Sequence, residues 1–163
     1  MPDKITLQRA ARDKRAGKSP GTQAGEFVRE EMEHIRAGKH GARSSKQAIA
    51  IGLSKARRAG VALPPPKPGT TSPQTRRKAQ RDAAAAGKRS ASSRSRGRAS
   101  LNALKREGTA AASKRALSRQ ARKAAARRPA AARSAAARKS ANTRRRNSNG
   151  TRSPTSTRKR ASR

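Results

Sequence analysis

Large apolar side chains keep a helical spacing in only one stretch of this chain. Val28, Met32 and Ile35 fall at i, i+4 and i+7, with Phe27 at the edge of the same stripe, while Glu26, Arg29, Glu30 and Glu33 point away. The acids sit in the first turns and Arg36 and Lys39 near the end, as the helix dipole favours, and Gly38 supplies a stop. The pattern predicts a helix from Gly25 onward. Ser44 and Gln47 then form a capping box, Ile49, Leu53 and Ala56 repeat at i, i+4 and i+7, and Gly60 ends the run. Gly52 lies on that second stripe, where another backbone can approach closely.

Together these signals predict a small all-α helical hairpin over residues 21–66, its two helices antiparallel and joined by Gly38 to Arg43. Val61 and Leu63 would fold back over the open end before Pro64, Pro65 and Pro66 enforce extended backbone. Two positions strain this picture. Glu31 falls inside the first stripe, where an unpaired carboxylate is costly, so pairing with Lys46 or Arg57 is expected. Ile51 points opposite to Ile49 and Leu53, so it is either exposed or the contact of a homodimer built through the hairpin.

The flanks read differently. Residues 1–20 place Ile5, Leu7, Ala10 and Ala11 among Lys4, Arg9, Arg12, Lys14 and Arg15, with Asp3 as a cap and Gly17 as a stop. One isolated helix of this length is marginal in water, so this segment is read as a basic N-terminal arm. Residues 67–163 are Ala, Arg, Lys, Ser, Thr, Pro and Gly with leucine only at Leu101, Leu104 and Leu117. That composition buries too little surface to offset backbone entropy, so most of the chain is expected to be a disordered basic tail. Residues 100–107 and 113–128 are rich in helix formers, and the second stretch sets Arg115, Arg119 and Arg122 on one face and Leu117, Ala121 and Ala124 on another. Helix there is expected to be induced when phosphates relieve the charge repulsion, and to end at Pro129.

Charge turns this outline toward function. Of 163 residues 44 are Lys or Arg and 8 are Asp or Glu, for a formal net charge of +36. Beyond Glu33 only Asp82 and Glu107 oppose 37 bases. Such a chain repels itself unless a polyanion is bound, which makes nucleic acid the expected partner and phosphate neutralisation the expected source of affinity. Phe27 is the only aromatic residue, so single-stranded recognition by base stacking has no platform and duplex DNA is favoured over RNA. The expected phosphate contacts in the hairpin are Arg43, Lys46, Lys55, Arg57 and Arg58. In the tail they are Arg115, Arg119, Arg122, Arg144, Arg145 and Arg146, together with Arg96 and Arg98.

Arg96, Gly97 and Arg98 have the centre of a minor-groove hook, in which glycine lets the backbone enter a narrow groove, although Ser95 and Ala99 stand where flanking prolines would hold it extended. Ser72-Pro73 and Ser153-Pro154 read as turns. A helix-turn-helix alternative makes the Ser44 helix a base reader through Ser45, Lys46 and Gln47, against which the connection is long and no third helix braces the pair.

Chemistry of other kinds finds few residues. There is no cysteine, which excludes disulfides, thiolate metal sites and thiol catalysis. His34 and His40 are the only imidazoles, and Glu30 with His34 at i, i+4 falls short of a closed metal site, so no metal, cofactor or catalytic residue is assigned and no enzyme is expected. No stretch approaches the roughly 20 apolar residues of a membrane span, and the N-terminus lacks the apolar core of a signal peptide.

The run GEFVREEMEHIRAGKHGARSSKQAIAIGLSKARRAGVALPPP from Gly25 resembles a family of small, basic, functionally uncharacterised bacterial proteins. The resemblance implies a bacterial, cytoplasmic origin and carries no site residues. The tail is similar in composition to those of linker histones and bacterial histone-like proteins, though richer in Arg than Lys. The expected function is therefore that of a histone-like, nucleoid-associated DNA-binding protein. The alternatives are an RNA-binding or ribosome-associated protein, and a structural adaptor docking through its acidic first helix.

Overall fold

The computed structural model describes residues 2–87 and 94–150, without the side chains of residues 94, 96 and 147–150. Ser153-Pro154 and the Arg96 side chain lie outside the described residues. The architecture is all-α, with no strand among the described residues. The helices are α1 (Lys4–Arg15), α2 (Pro20–Arg36), α3 (Ser45–Arg58), α4 (Pro73–Ala84), α5 (Arg94–Lys105), α6 (Lys114–Ala126) and α7 (Ala130–Gly150), with a 3₁₀ turn at Ala110–Ala112. The chain divides after Gln120 into two units.

In the first unit α2 and α3 make the most extensive contact, and it is antiparallel by its pairs. The end of α2 (Met32, Ile35) meets the start of α3 (Ala48), while Ala24 and Phe27 meet Ala56. Gly52 allows this approach, since a Cβ there would stand 2.7 Å from Val28 Cα. Val61 and Leu63 close over Phe27 and Ala56. Ser44 accepts the Gln47 N–H at 3.3 Å, and Gln47 Oε1 accepts the Arg43 N–H at 2.9 Å, a reciprocal cap displaced by one residue from the usual box. Gly38 and Gly60, at φ +69° and +88°, end α2 and α3 in left-handed turns whose next residues donate back to His34 and Ala56.

Three segments expected to flank this pair are built into it. α2 starts at Pro20, five residues before Gly25, because Ser19 caps Thr22 N–H and Pro20 occupies the first turn. The supposed N-terminal arm is α1, which packs on α2 through Thr6, Ala10 and Asp13. These small residues at i, i+4 and i+7 are buried, whereas Ile5 and Leu7 are 60% and 41% exposed. The tail does not begin at residue 67 as one disordered stretch. α4, capped by Ser72 ahead of Pro73, packs on α3 through Ala79 and Asp82. Ala111 and Ala112 enter the core of Met32, Ile35, Ala42 and Ala48, with Leu117 packed against them. Arg36 Nε donates to Ala112 O at 3.0 Å and the Ser45 hydroxyl to Ala111 O at 2.6 Å. The backbone of Gly41 and Ala42 donates to Leu104 O and Gly108 O.

In the second unit, residues 121–150 are helical apart from a short break before Ala130, and every described side chain from Ala121 to Arg146 is exposed.

Candidate nucleic-acid interface

Some of the predicted cations brace the fold, and others expose their side chains at its surface. Lys55 belongs to the first group. It is half-buried against α2, with Nζ 2.7 Å from Glu31 Oε2 and 3.3 Å from Glu30 Oε1. Burial lowers its pKa, and pairing with Glu31 and Glu30 more than reverses this, leaving it above the ordinary lysine value. Arg57 is buried and donates Nε to Leu63 O and Nη2 to Pro64 O, both at 3.3 Å, which fastens the Pro64 segment to α3. Burial pushes this guanidinium below its ordinary value, against the raising field of Asp82. Arg58 holds α4, its Nε and Nη2 each 2.9 Å from Asp82 Oδ1. A phosphate at Lys55 or Arg57 would have to displace these internal contacts. Glu31 is wholly buried as expected, but its cation is Lys55 and not Lys46 or Arg57, neither of which is among its contacts.

Asp82 is the acid that most clearly builds structure. Burial raises its pKa, but the Ser54 hydroxyl at 2.6 Å, Arg58 and Lys78 together outweigh this, for a net shift below the usual carboxylate value.

The second group faces outward. Lys46 is exposed at the start of α3, and Arg43, 83% exposed, stands 3.6 Å from Glu107. Arg98 is exposed on α5. The Arg96-Gly97-Arg98 backbone lies inside this helix, so it does not have the extended form a minor-groove hook needs. α6 is the most amphipathic helix described, with Leu117 packed inward and Arg115, Arg119 and Arg122 exposed. On α7 the exposed cations pair around the whole circumference as Arg133 with Arg144, Arg138 with Arg145, and Lys139 with Arg146, so this helix offers no neutral side.

Of the base-reading set, Ser45 is buried with its hydroxyl on Ala111 O, and the Gln47 carbonyl is held by the Arg43 N–H. Only Lys46 of the three is exposed. The acids of α2 are also engaged, Glu26 and Glu33 with Arg29 and Glu30 and Glu31 with Lys55. Ile51 is half-buried within the single chain.

A polar cluster at the end of α2 was not legible from residue spacing alone. Asp3 Oδ2 lies 3.3 Å from His34 Nε2, the Asp3 N–H donates to Glu30 Oε2 at 3.2 Å, and His40 Nε2 lies 3.4 Å from Glu31 Oε1. The sequence signal was the Glu30-Glu31 pair with one member inside an apolar stripe; the partners come from Asp3 just ahead of α1, from α3 and from the loop after Gly38.

Among the described residues no helix is long and apolar enough to cross a membrane. A family described as a family of unknown function (DUF6496) matches residues 13–67, which cover the end of α1, α2, α3 and the proline run. No curated protein and no solved structure matches the chain.

Proposed function

We propose that this chain is a histone-like, nucleoid-associated protein that binds duplex DNA by neutralising phosphates, with little regard to base sequence and without catalysing a reaction. The observation that carries this reading is the run from Lys114 to Arg146, which holds 13 bases and no acid, with every one of those cations exposed. A surface of that kind recruits phosphates through counterion release, a force indifferent to sequence. Internal engagement of Ser45 and Gln47 leaves α3 poorly equipped to read base edges. Pairing of the α2 acids within the chain weighs against the adaptor reading. The site then consists of Arg43, Lys46 and Arg98 around the first unit, Arg115, Arg119 and Arg122 on α6, and Arg144, Arg145 and Arg146 on α7.

The test is a salt titration of full-length protein on random-sequence duplex DNA, with duplex and single-stranded RNA of equal length as competitors. About ten simultaneous phosphate contacts give a log-log slope near −9. Stronger competition by either RNA moves the protein to the RNA-binding alternative, and a thousandfold preference for one duplex over random DNA refutes the histone-like reading.

A further inference from the structure

Two histidines and the buried glutamate of α2 converge where the chain leaves that helix. Glu31 and His34 are three residues apart and so share a face. Gly38 turns the chain in the left-handed region, and His40 returns over the same face. One ligand atom from each of Glu31, His34 and His40 lies within 4.8 Å of the other two, and the two rings stand nearly perpendicular, 6.2 Å between centroids. The side chains of Glu31, His34 and His40 are 0%, 15% and 10% exposed.

The hydrogen bonding of His40 is incomplete in an informative way. Its Nδ1 lies 3.1 Å from the Gly41 carbonyl oxygen, which can only accept, so Nδ1 carries a proton. Nε2 then faces Glu31 Oε1 at 3.4 Å, and this oxygen of the buried carboxylate has no hydrogen-bond partner, while Lys55 stands against the other. A lone pair on Nε2 would repel that oxygen unless a cation lay between them. Metal–nitrogen and metal–oxygen bonds of about 2.0–2.2 Å at a tetrahedral angle place ligand atoms about 3.3–3.5 Å apart, the separation found here. A ring anchored through one nitrogen on a backbone carbonyl, with the other free, is how metal-binding histidines are oriented.

We propose that Glu31, His34 and His40 form a binding site for one divalent transition-metal ion of the Zn²⁺ type. The ligands are Glu31 Oε1, His40 Nε2 and a ring nitrogen of His34, with Lys55 keeping Glu31 Oε2. Two imidazoles and one carboxylate suit zinc, and water completes the tetrahedron through the partly open histidine side. The ion ties the loop carrying His40 to the end of α2. The net charge of +36 opposes any cation, but Asp3, Glu30 and Glu31 bring three of the eight acids to this end of α2.

Calorimetric titration of Zn²⁺ into chelator-treated full-length protein tests the site. The expected result is one ion per chain with a raised Tm, binding weakened at least about tenfold in His34→Gln and His40→Gln, and no change in Glu26→Gln, whose carboxylate pairs with Arg29. Because the chain has only two histidines, their ring resonances provide a second readout that needs no variant: both should shift to saturation at one equivalent. Absence of saturable binding would overturn the proposal. Binding that spares His40→Gln or leaves its ring resonance unmoved would overturn it equally.

Discussion

Up to Glu107 the chain carries 26 bases and all eight acids, whereas the 56 residues beyond hold 18 bases and no acid. In the first part every carboxylate stands against a basic side chain: Asp3 with His34, Asp13 with Lys18, Glu26 and Glu33 with Arg29, Glu30 and Glu31 with Lys55, Asp82 with Arg58, and Glu107 with Arg43. The cores between them are thin, for eight of the eleven buried apolar residues among the described ones are alanine. Alanine contributes little transfer free energy, so close packing and a few well-placed ion pairs must hold the helices in register. The second part has the same alanine and arginine without the acids, and its described side chains from residue 121 onward are all exposed. The difference teaches that the scarce acids decide which basic helices fold onto one another. Where acids are missing, the counter-charge must come from outside.

The comparison breaks most sharply at Lys55. Lys55→Met leaves Glu30 and Glu31 buried without their ammonium, and a loss of about 3–5 kcal/mol is expected in denaturant unfolding. A loss no larger than that of an exposed lysine would mean that the buried carboxylates do not depend on it. Lys55 also predicts an alkaline limit. Its folded pKa is raised, so its contribution is complete below the unfolded value near 10.4 and disappears as pH rises through the folded one, which a Tm series at rising pH will detect.

Gly52→Ala comes next. A Cβ 2.7 Å from Val28 Cα must push α2 and α3 apart, at a cost of about 1–3 kcal/mol, whereas Gly25→Ala, with open space around it, should be neutral or stabilising. Equal effects would contradict the close approach. Acid should act more locally. The Asp82 pKa is lowered in the fold, so its stabilisation is present above the unfolded value near 3.9 and is lost as pH falls through the lower folded value. Amide protection in α4 should fall in that window ahead of protection in α2; simultaneous loss would mean that Asp82 does not hold α4. The smallest effect is that of Arg98→Gln, which should make the salt slope of DNA binding shallower by about one contact and leave Tm unchanged.

Much of the central pair could be read from the chain, because Phe27, Met32, Ile35 and Leu53 are large residues at helical spacing and Ser44, Gly38 and Gly60 mark its ends. What escaped the reading has a common cause. Thr6, Ala10 and Asp13 on α1, Ala79 and Asp82 on α4, and Ala111 and Ala112 in the 3₁₀ turn are small or charged, so hydropathy gives them no weight although they are buried. Ser72-Pro73, read as a turn, is the cap and first turn of α4, and the absence of large apolar residues after it made that segment look like tail. On the functional side the exposed arginines of α6 and α7 were visible as acid-free basic runs. The internal duties of Lys55, Arg57 and Arg58 were not, since their partners lie on other elements. The Arg96 to Arg98 triplet says nothing of its own backbone, which here is helical.

The claim that external phosphates complete the acid-free region is tested most directly by comparing salt slopes on random duplex DNA for the wild type and a variant with Arg115, Arg119, Arg122, Arg138, Arg144 and Arg146 all replaced by Gln. All six are exposed in the wild type. The account predicts a slope shallower by about five, at roughly 0.9 per lost contact, with the unfolding midpoint of the first unit unchanged. An unaltered slope would contradict it, because these exposed arginines would then carry none of the phosphate contacts.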